Sequence, residues 1–155
     1  MADKTADETA RAVAAEHGNR PDELIEILHD VQSALGYVPE AVVPALAQVL
    51  NLSRAEVHGV VTFYHDFRAK PAGRHVLKLC RAEACQSMGG EALVERAEHH
   101  LGVACGETSA DGRVTLEPVY CLGLCATAPS AMIDGRIVGR MTAERLDALL
   151  KETGA

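Results

Sequence analysis

Four of the five cysteines fall into two close pairs, and this spacing constrains the fold more than any other feature of the chain. The first pair is Cys80-x4-Cys85, and 35 residues separate it from the second pair, Cys121-x3-Cys125. Two pairs of thiols far apart in sequence are typical of one four-thiolate metal site that tertiary structure assembles. Neither pair has the Cys-x-x-Cys spacing of thioredoxin-type redox dithiols and of many zinc sites.

Two kinds of metal centre suit four thiolates. An iron–sulfur cluster with two irons takes two cysteine sulfurs on each iron. A structural zinc ion takes four sulfurs in a tetrahedron, and both spacings in this chain fall within the range that zinc sites use. The cysteine pattern by itself therefore favours a cluster over zinc and leaves a zinc-stabilised binding module as the alternative.

The residues around the first pair predict a strand followed by a helix. Cys80 ends the apolar run 76–79, which predicts a buried strand, and we expect Cys85 on the loop that follows. Beyond Gly89, apolar residues at four-residue spacing predict a helix that ends at Gly102. We interpret Lys78, the one charge in the apolar run, as a strand-edge charge.

The second pair follows another predicted strand, at 114–119, and Gly123 between its cysteines gives the backbone freedom to bend around a bulky centre. A strand, a helix and a second strand form a βαβ-like unit, in which both strands end at the same edge of the sheet. The sequence therefore predicts that the two pairs converge.

These residues resemble a known family. The motif 121–125 with its Gly123, the following Ala128-Pro129, and then Met132-Ile133-Asp134-Gly135 are similar to the thioredoxin-like [2Fe-2S] ferredoxin subunits of NADH-linked enzymes. That family includes the small iron–sulfur subunit of respiratory complex I, the equivalent subunit of NAD-reducing hydrogenases, and the gamma subunit of soluble NAD-dependent formate dehydrogenases. The loop 81–88 and the compact length look most like the formate dehydrogenase gamma subunit, with complex I second.

The resemblance implies an α+β fold. A small N-terminal helical bundle, residues 1–70, would precede a thioredoxin-like α/β domain, residues 71–155, with a mixed sheet of about four to five strands. It also implies that four cysteines bind one [2Fe-2S] cluster, as both its metal ligands and its cofactor-binding residues. They are Cys80, Cys85, Cys121 and Cys125.

The resemblance also implies partners and a role. The chain would be a non-catalytic electron-transfer subunit beside a flavoprotein subunit that carries FMN and the NAD site. A formate dehydrogenase would add a larger iron–sulfur/molybdenum catalytic subunit to the same complex. No Gly-x-Gly-x-x-Gly, Walker loop or catalytic triad pattern is present in the sequence, so we expect NAD and flavin on the partner and no catalytic residues here.

Composition excludes some functions. The formal charge of −7 and the lack of tryptophan argue against nucleic-acid binding, which needs a basic surface and stacking platforms. We find no apolar run of membrane-spanning length and no export signal at 1–8, and we therefore expect a cytoplasmic protein with reduced thiols and no direct membrane insertion.

The first seventy residues predict helices. Residues 1–19 are expected to be a frayed tail or a loosely packed helix. A helix beginning near Pro21 carries one apolar stripe and ends at Gly36, a second contains Pro44 in its first turn, and a third begins with the capping box at 53–56. Three short helices this close together predict a small bundle.

Two further features lie outside the four-cysteine motif. The segment 60–67 groups apolar and aromatic residues, which we interpret as core or an interdomain seam rather than a partner contact. Cys105 pairs with no other cysteine, and we expect it to pack as a small hydrophobic residue.

Overall fold

The computed structural model describes residues 2–154. Two compact units divide the chain, Met1–Pro71 and Ala72–Ala155, and the terminal residues 1 and 155 of the two predicted domains lie outside the described part. The first unit is helical, and the second contains a four-stranded mixed sheet with helices. The predicted α+β class and the predicted mixed sheet are confirmed.

Four α-helices form the first unit. They are α1 (Ala2–Glu16), α2 (Leu24–Leu35), α3 (Val42–Val49) and α4 (Arg54–Phe63), and a single 3-10 turn at Pro21–Glu23 precedes α2. Helix α1 packs on α2 and α3, and α4 packs on the same two helices. The bundle therefore has four members rather than the three that the sequence predicted.

The additional member is α1, and the prediction of a frayed or loosely packed N-terminus is wrong. Ala6, Ala10 and Ala14 recur at four-residue spacing and are all buried, with Val13 beside them. Small side chains on one face of a helix let it approach its neighbours closely, because there is little volume between the backbones. The alanine-rich composition thus reflects close packing.

The other helix boundaries follow their predicted signals. Gly36 ends α2 in the left-handed conformation, with φ of 81°. Pro44 lies in the first turn of α3, where its missing N–H is tolerated. Ser53 and Glu56 form the predicted reciprocal capping box at the start of α4.

The aromatic segment after α4 only partly enters the core. Phe67 is buried, but Phe63 is 72% exposed and Tyr64 is 41% exposed, so the prediction of a core position is wrong for these two. At 3.6 residues per turn, Phe63 lies about 240° around the helix from the buried Val57 and therefore points away from the bundle. Tyr64 ends the helix and packs edge-on against both neighbouring phenylalanine rings.

The second unit places helices around one sheet. Its strands are β1 (His75–Cys80), β2 (Val114–Val119), β3 (Ala131–Ile133) and β4 (Arg136–Val138), in the order β2-β1-β3-β4. Its α-helices are α5 (Glu83–Ser87), α6 (Gly90–Leu101) and α7 (Ala143–Glu152). The core combines strand residues with the inner faces of α6 and α7. It contains Leu77, Leu79, Leu93, Val94, Ala97, Val114, Leu116, Ala131, Ile133, Met141, Leu146, Leu149 and Leu150.

Strands β1 and β2 are parallel, with α5 and α6 between them in sequence. Their register pairs His75 with Val114 and Cys80 with Val119. This is the predicted strand–helix–strand unit, and both strands end at the same edge of the sheet. The geometry positions the first thiol next to the start of the loop that carries the second pair.

The interior position of β1 corrects the interpretation of Lys78. Because β1 lies between β2 and β3, Lys78 is not at a sheet edge. It faces Glu117 across the parallel pair, with 3.5 Å between Nζ and Oε2, and both side chains are about one-fifth exposed. The lysine thus takes part in a cross-strand ion pair on a partly covered face.

The end of the chain also follows its local signals. Asp134 and Gly135 both have positive φ and form the two-residue turn between β3 and β4. Thr142 caps α7 by accepting a hydrogen bond from the amide of Arg145. No helix among residues 2–154 is long and apolar enough to cross a bilayer.

Candidate metal centre

The ends of β1 and β2 bring the two cysteine pairs together, as predicted. Cys80 is the last residue of β1 and pairs in register with Val119, two residues before Cys121. The amide of Arg81 continues this pairing by donating to the carbonyl of Val119 at 2.8 Å. The connection between the pairs is therefore made by the sheet itself.

Cys85 lies on a helix, and the expectation that it would be on a loop is wrong. It is the third residue of α5, and the amide of Gln86 donates to the carbonyl of Ala82 at 2.9 Å to close the turn. The helix is only five residues long, so no apolar periodicity reveals it. Its effect is to direct Cys85 inward, where only 2% of the residue is exposed.

The second pair is organised by unusual backbone geometry. Cys121 has a φ of 98°, a conformation that costs a non-glycine residue free energy, and Gly123 has a φ of 76°. The amide of Gly123 donates to the Cys121 sulfur at 3.3 Å. Cys125 then opens the 3-10 turn Cys125–Thr127, and its sulfur lies 3.7 Å from that of Cys121.

The two pairs differ in exposure. Cys80 and Cys85, the inner pair, are buried, whereas Cys121 and Cys125, the outer pair, are exposed. A centre held by all four thiols would therefore have one side in the protein and the other near solvent.

Ser130 completes the surroundings of the inner pair. Its carbonyl accepts a hydrogen bond from the Cys80 amide at 3.0 Å, and its hydroxyl oxygen lies 3.5 Å from the Cys85 sulfur. Sequence analysis did not identify Ser130, because its position opposite Cys80 depends on the antiparallel register of β1 and β3. No local signal gives that register.

Hydrogen bonds favour a negatively charged sulfur at Cys80. Burial has the largest single effect and would raise the pKa of the Cys80 thiol, but several hydrogen bonds outweigh it and lower that pKa. The partners are the Ala82 backbone, the Cys85 thiol, the Cys121 backbone and the Ser130 side chain. A thiol that loses its proton readily is prepared to bind a metal.

The pKa of Cys125, in the outer pair, depends on the other three sulfurs. The hydrogen bond and the charge of Cys121 raise the pKa of Cys125, with smaller contributions from burial and from Cys85 and Cys80. All four sulfurs thus belong to one electrostatic environment. Mutual repulsion of this kind is relieved when a cation binds between thiolates.

The sulfurs of the outer pair have the separation expected of two ligands on one metal ion. Two sulfurs on one tetrahedral ion, with metal–sulfur bonds of about 2.3 Å, lie about 3.8 Å apart, which the 3.7 Å separation of the outer pair matches. Across residues 2–154, no three side chains of histidine, cysteine, aspartate or glutamate are grouped to hold a single metal ion. A [2Fe-2S] cluster takes two thiolates on each iron.

The polar residues near the first pair interact with each other. Arg81 forms a 2.5 Å ion pair with Glu91, and Gln86 donates to the Arg81 carbonyl at 2.8 Å.

Cys105 is half-buried, and burial raises the pKa of its thiol. Its surroundings are therefore those of an inert packing residue, unlike those of Cys80.

Converging thiols at the ends of parallel strands are the arrangement expected of a thiol-ligated metalloprotein. Residues 10–154 match the profile of the family described as thioredoxin-like [2Fe-2S] ferredoxin. The chain belongs to this family, which confirms the predicted thioredoxin-like fold, and its cofactor is one [2Fe-2S] cluster.

Relatives with similar sequences are components of NADH-quinone oxidoreductases. The chain is 40% identical to the E subunit of this enzyme from Pseudomonas aeruginosa over 82% of its own length and 76% of the relative. It is 38% identical to the E2 subunit of the enzyme from Rhizobium meliloti over 95% of its length and 88% of the relative.

A solved structure shares the fold. The chain superposes on a NAD+-reducing [NiFe]-hydrogenase in the air-oxidised state with a TM-score of 0.71 and 27% sequence identity. The match covers 85% of this chain and 23% of the hydrogenase chain, so the present chain corresponds to about a quarter of that polypeptide.

Proposed function

We propose that the chain is the electron-transfer subunit of a multisubunit NAD-linked oxidoreductase and that Cys80, Cys85, Cys121 and Cys125 hold its cluster. The observation that carries this proposal is the meeting of both cysteine pairs at one edge of the sheet. Burial of the inner pair supports retention of a centre, and exposure of the outer pair supports electron exchange at the surface. We place the chain in the cytoplasm, where thiols stay reduced and free to bind a cluster.

The chemistry of NAD calls for a flavoprotein partner. A bound [2Fe-2S] cluster takes up and releases one electron, whereas NAD exchanges a hydride with its two electrons. A flavin accepts two electrons together and passes them on singly. We therefore place FMN and the NAD site on a partner subunit, and this chain binds, shields and orients the one-electron centre.

The identity of the parent enzyme is the more specific part of the proposal. The residues 81–88 favour the gamma subunit of a formate dehydrogenase, with a larger iron–sulfur/molybdenum subunit in the same complex. The relatives from NADH-quinone oxidoreductases support respiratory complex I as the alternative, and the hydrogenase is the third candidate. The test is to isolate the complex through a tag on this chain and to measure NAD reduction by formate and by hydrogen, and quinone reduction by NADH.

The metal content tests the ligand assignment. Anaerobically purified protein is expected to contain about two irons and about two acid-labile sulfides per chain, and to give an S = 1/2 electron paramagnetic resonance signal after dithionite reduction. Replacing any of the four ligands with alanine should lower iron content, whereas Cys105→Ala, the matched control, should not. Zinc without sulfide in protein that has never lost a cluster would establish the zinc-stabilised module instead.

We further propose that the helical unit contributes to docking on the flavoprotein. Phe63 is 72% exposed and forms an edge-to-face pair with Tyr64, at 5.0 Å between ring centroids. Exposed, paired aromatic rings are typical anchors of protein interfaces. Phe63→Ala in the full chain should weaken flavoprotein binding more than Ile137→Ala, which truncates an exposed residue of the second unit. Equal binding by both variants would refute this role.

A further inference from the structure

The hydroxyl group of Ser130 is buried against the inner pair of thiols. Ser130 is 3% exposed, and its hydroxyl oxygen lies 3.5 Å from the Cys85 sulfur. The hydroxyl group therefore lies on the buried side of the centre, next to one of its two inner sulfurs.

The backbone fixes this hydroxyl in place. The Cys80 amide donates to the Ser130 carbonyl at 3.0 Å, which ties the serine to the end of β1. The preceding Pro129 accepts a hydrogen bond from the amide of Met141 at 2.9 Å, just before α7. These bonds fix the backbone on both sides of the serine, and the burial of Ser130 limits the rotamers that its side chain can adopt.

The direction of the hydrogen bond follows from the state of the ligand. A cysteine that binds a metal is a thiolate and has no proton to donate. Between Ser130 and Cys85, only the hydroxyl can then be the donor. The bond becomes a neutral donor pointing at a negatively charged sulfur, which is stronger than a bond between two neutral groups.

We infer that Ser130 sets the reduction potential of the centre by donating a hydrogen bond to the Cys85 sulfur. Reduction adds one negative charge, which the sulfurs share, and a donor aimed at sulfur stabilises the reduced form more than the oxidised form. The hydroxyl thereby raises the potential. This inference rests on the proposed function, because it requires Cys80 and Cys85 to be cluster ligands.

Removal of the hydroxyl tests the inference. In Ser130→Ala, the ratio of reduced to oxidised cluster at a fixed potential should fall about tenfold, which for a one-electron couple is a shift of about 59 mV to more negative potential. Redox titration followed by electron paramagnetic resonance measures this ratio. The matched control is Ser87→Ala, which removes an exposed hydroxyl that donates to the Ala84 carbonyl at 2.9 Å, and its potential should equal that of the wild type.

A second pair of variants separates the hydrogen bond from packing. Threonine and valine have the same shape, so Ser130→Thr and Ser130→Val crowd the site equally and differ in the hydroxyl alone. The threonine variant should keep the higher potential of the two, and this comparison decides the matter if Ser130→Ala does not load a cluster. Equal potentials in the two variants, or an unchanged potential in Ser130→Ala, would overturn the tuning role while leaving the ligand assignment intact. A wild-type protein without iron and sulfide would overturn the proposed function itself.

Discussion

Gly90 packs directly against the backbone of Cys85, so closely that a β-carbon at Gly90 would lie 2.6 Å from the Cys85 carbonyl oxygen. Gly90 is the first residue of α6, and Cys85 lies on α5. The contact holds the short helix against the start of the long one. A glycine thereby fixes the position of an inner-pair thiol.

We expect Gly90→Ala to destabilise the second unit, because the added methyl group overlaps a backbone atom that cannot rotate away. The loss should be about 1–3 kcal/mol in the free energy of unfolding, measured by urea denaturation, and iron content should fall as Cys85 is displaced. Gly59→Ala is the control, because Gly59 lies inside α4 with open space around its Cα. That variant should gain up to about 1 kcal/mol. Unchanged stability and iron content in Gly90→Ala would show that α5 shifts without cost.

The difference in exposure between the two cysteine pairs predicts their order of reaction. In reduced, cluster-free protein, iodoacetamide should modify Cys121 and Cys125 before Cys80 and Cys85. Even a local opening that costs only about 1.4 kcal/mol slows modification of a buried thiol tenfold. Mass spectrometry of peptides at successive times measures the four rates.

The same experiment decides between burial and acidity. The lowered pKa of Cys80 favours the reactive thiolate, and the raised pKa of Cys125 disfavours it. If Cys80 reacts first, acidity outweighs the protection that burial provides, and the inner pair is accessible in solution.

Features that depend on neighbouring residues were predictable from the sequence. Three such features are the capping box at Ser53, the hairpin turn at Asp134 and the end of α6 at Gly102. In each case, a few adjacent residues determine the local backbone conformation. The convergence of the cysteine pairs was predictable as well, because the two parallel strands of a strand–helix–strand unit end at the same edge of the sheet.

Features that depend on tertiary packing were not predictable. The position of Ser130 opposite Cys80 follows from how β3 docks on β1, which no turn signal specifies. The close packing of α1 depends on the surfaces that α2 and α3 present to its alanines. The exposure of Phe63 depends on which face of α4 the bundle covers.

The two phenylalanines near the end of α4 provide a matched test of that last point. Phe67 is 7% exposed and packs against the His29 ring at 4.9 Å between centroids, so Phe67→Ala should cost about 3–5 kcal/mol in the free energy of unfolding. Phe63→Ala should change it by no more than about 0.5 kcal/mol, since the ring is mostly in solvent. Thermal and urea denaturation of the isolated chain measure both values. A large loss in Phe63→Ala would mean that this ring packs against protein in solution.

His17 predicts how stability depends on pH. Its ring lies between two carboxylates, with Nδ1 2.7 Å from Glu23 and Nε2 2.8 Å from Asp30. The hydrogen bond to Glu23, followed by that to Asp30, raises the pKa of His17 above its usual value. Arg20 also pairs with Glu23 and stays charged throughout the relevant range.

The sign of the effect follows from linkage. The folded protein holds the His17 proton more tightly than the unfolded chain does, so the stabilisation is fully present below the unfolded pKa of about 6.5 and is lost as pH rises through the raised folded pKa. The free energy of unfolding of the wild type should therefore exceed that of His17→Gln at pH 6, and the difference should shrink as pH increases toward 9. Glu23→Gln, which removes the first of the two partners, should reduce the same pH-dependent difference. A difference between wild type and His17→Gln that stays constant across this range would show that the ring contributes packing alone.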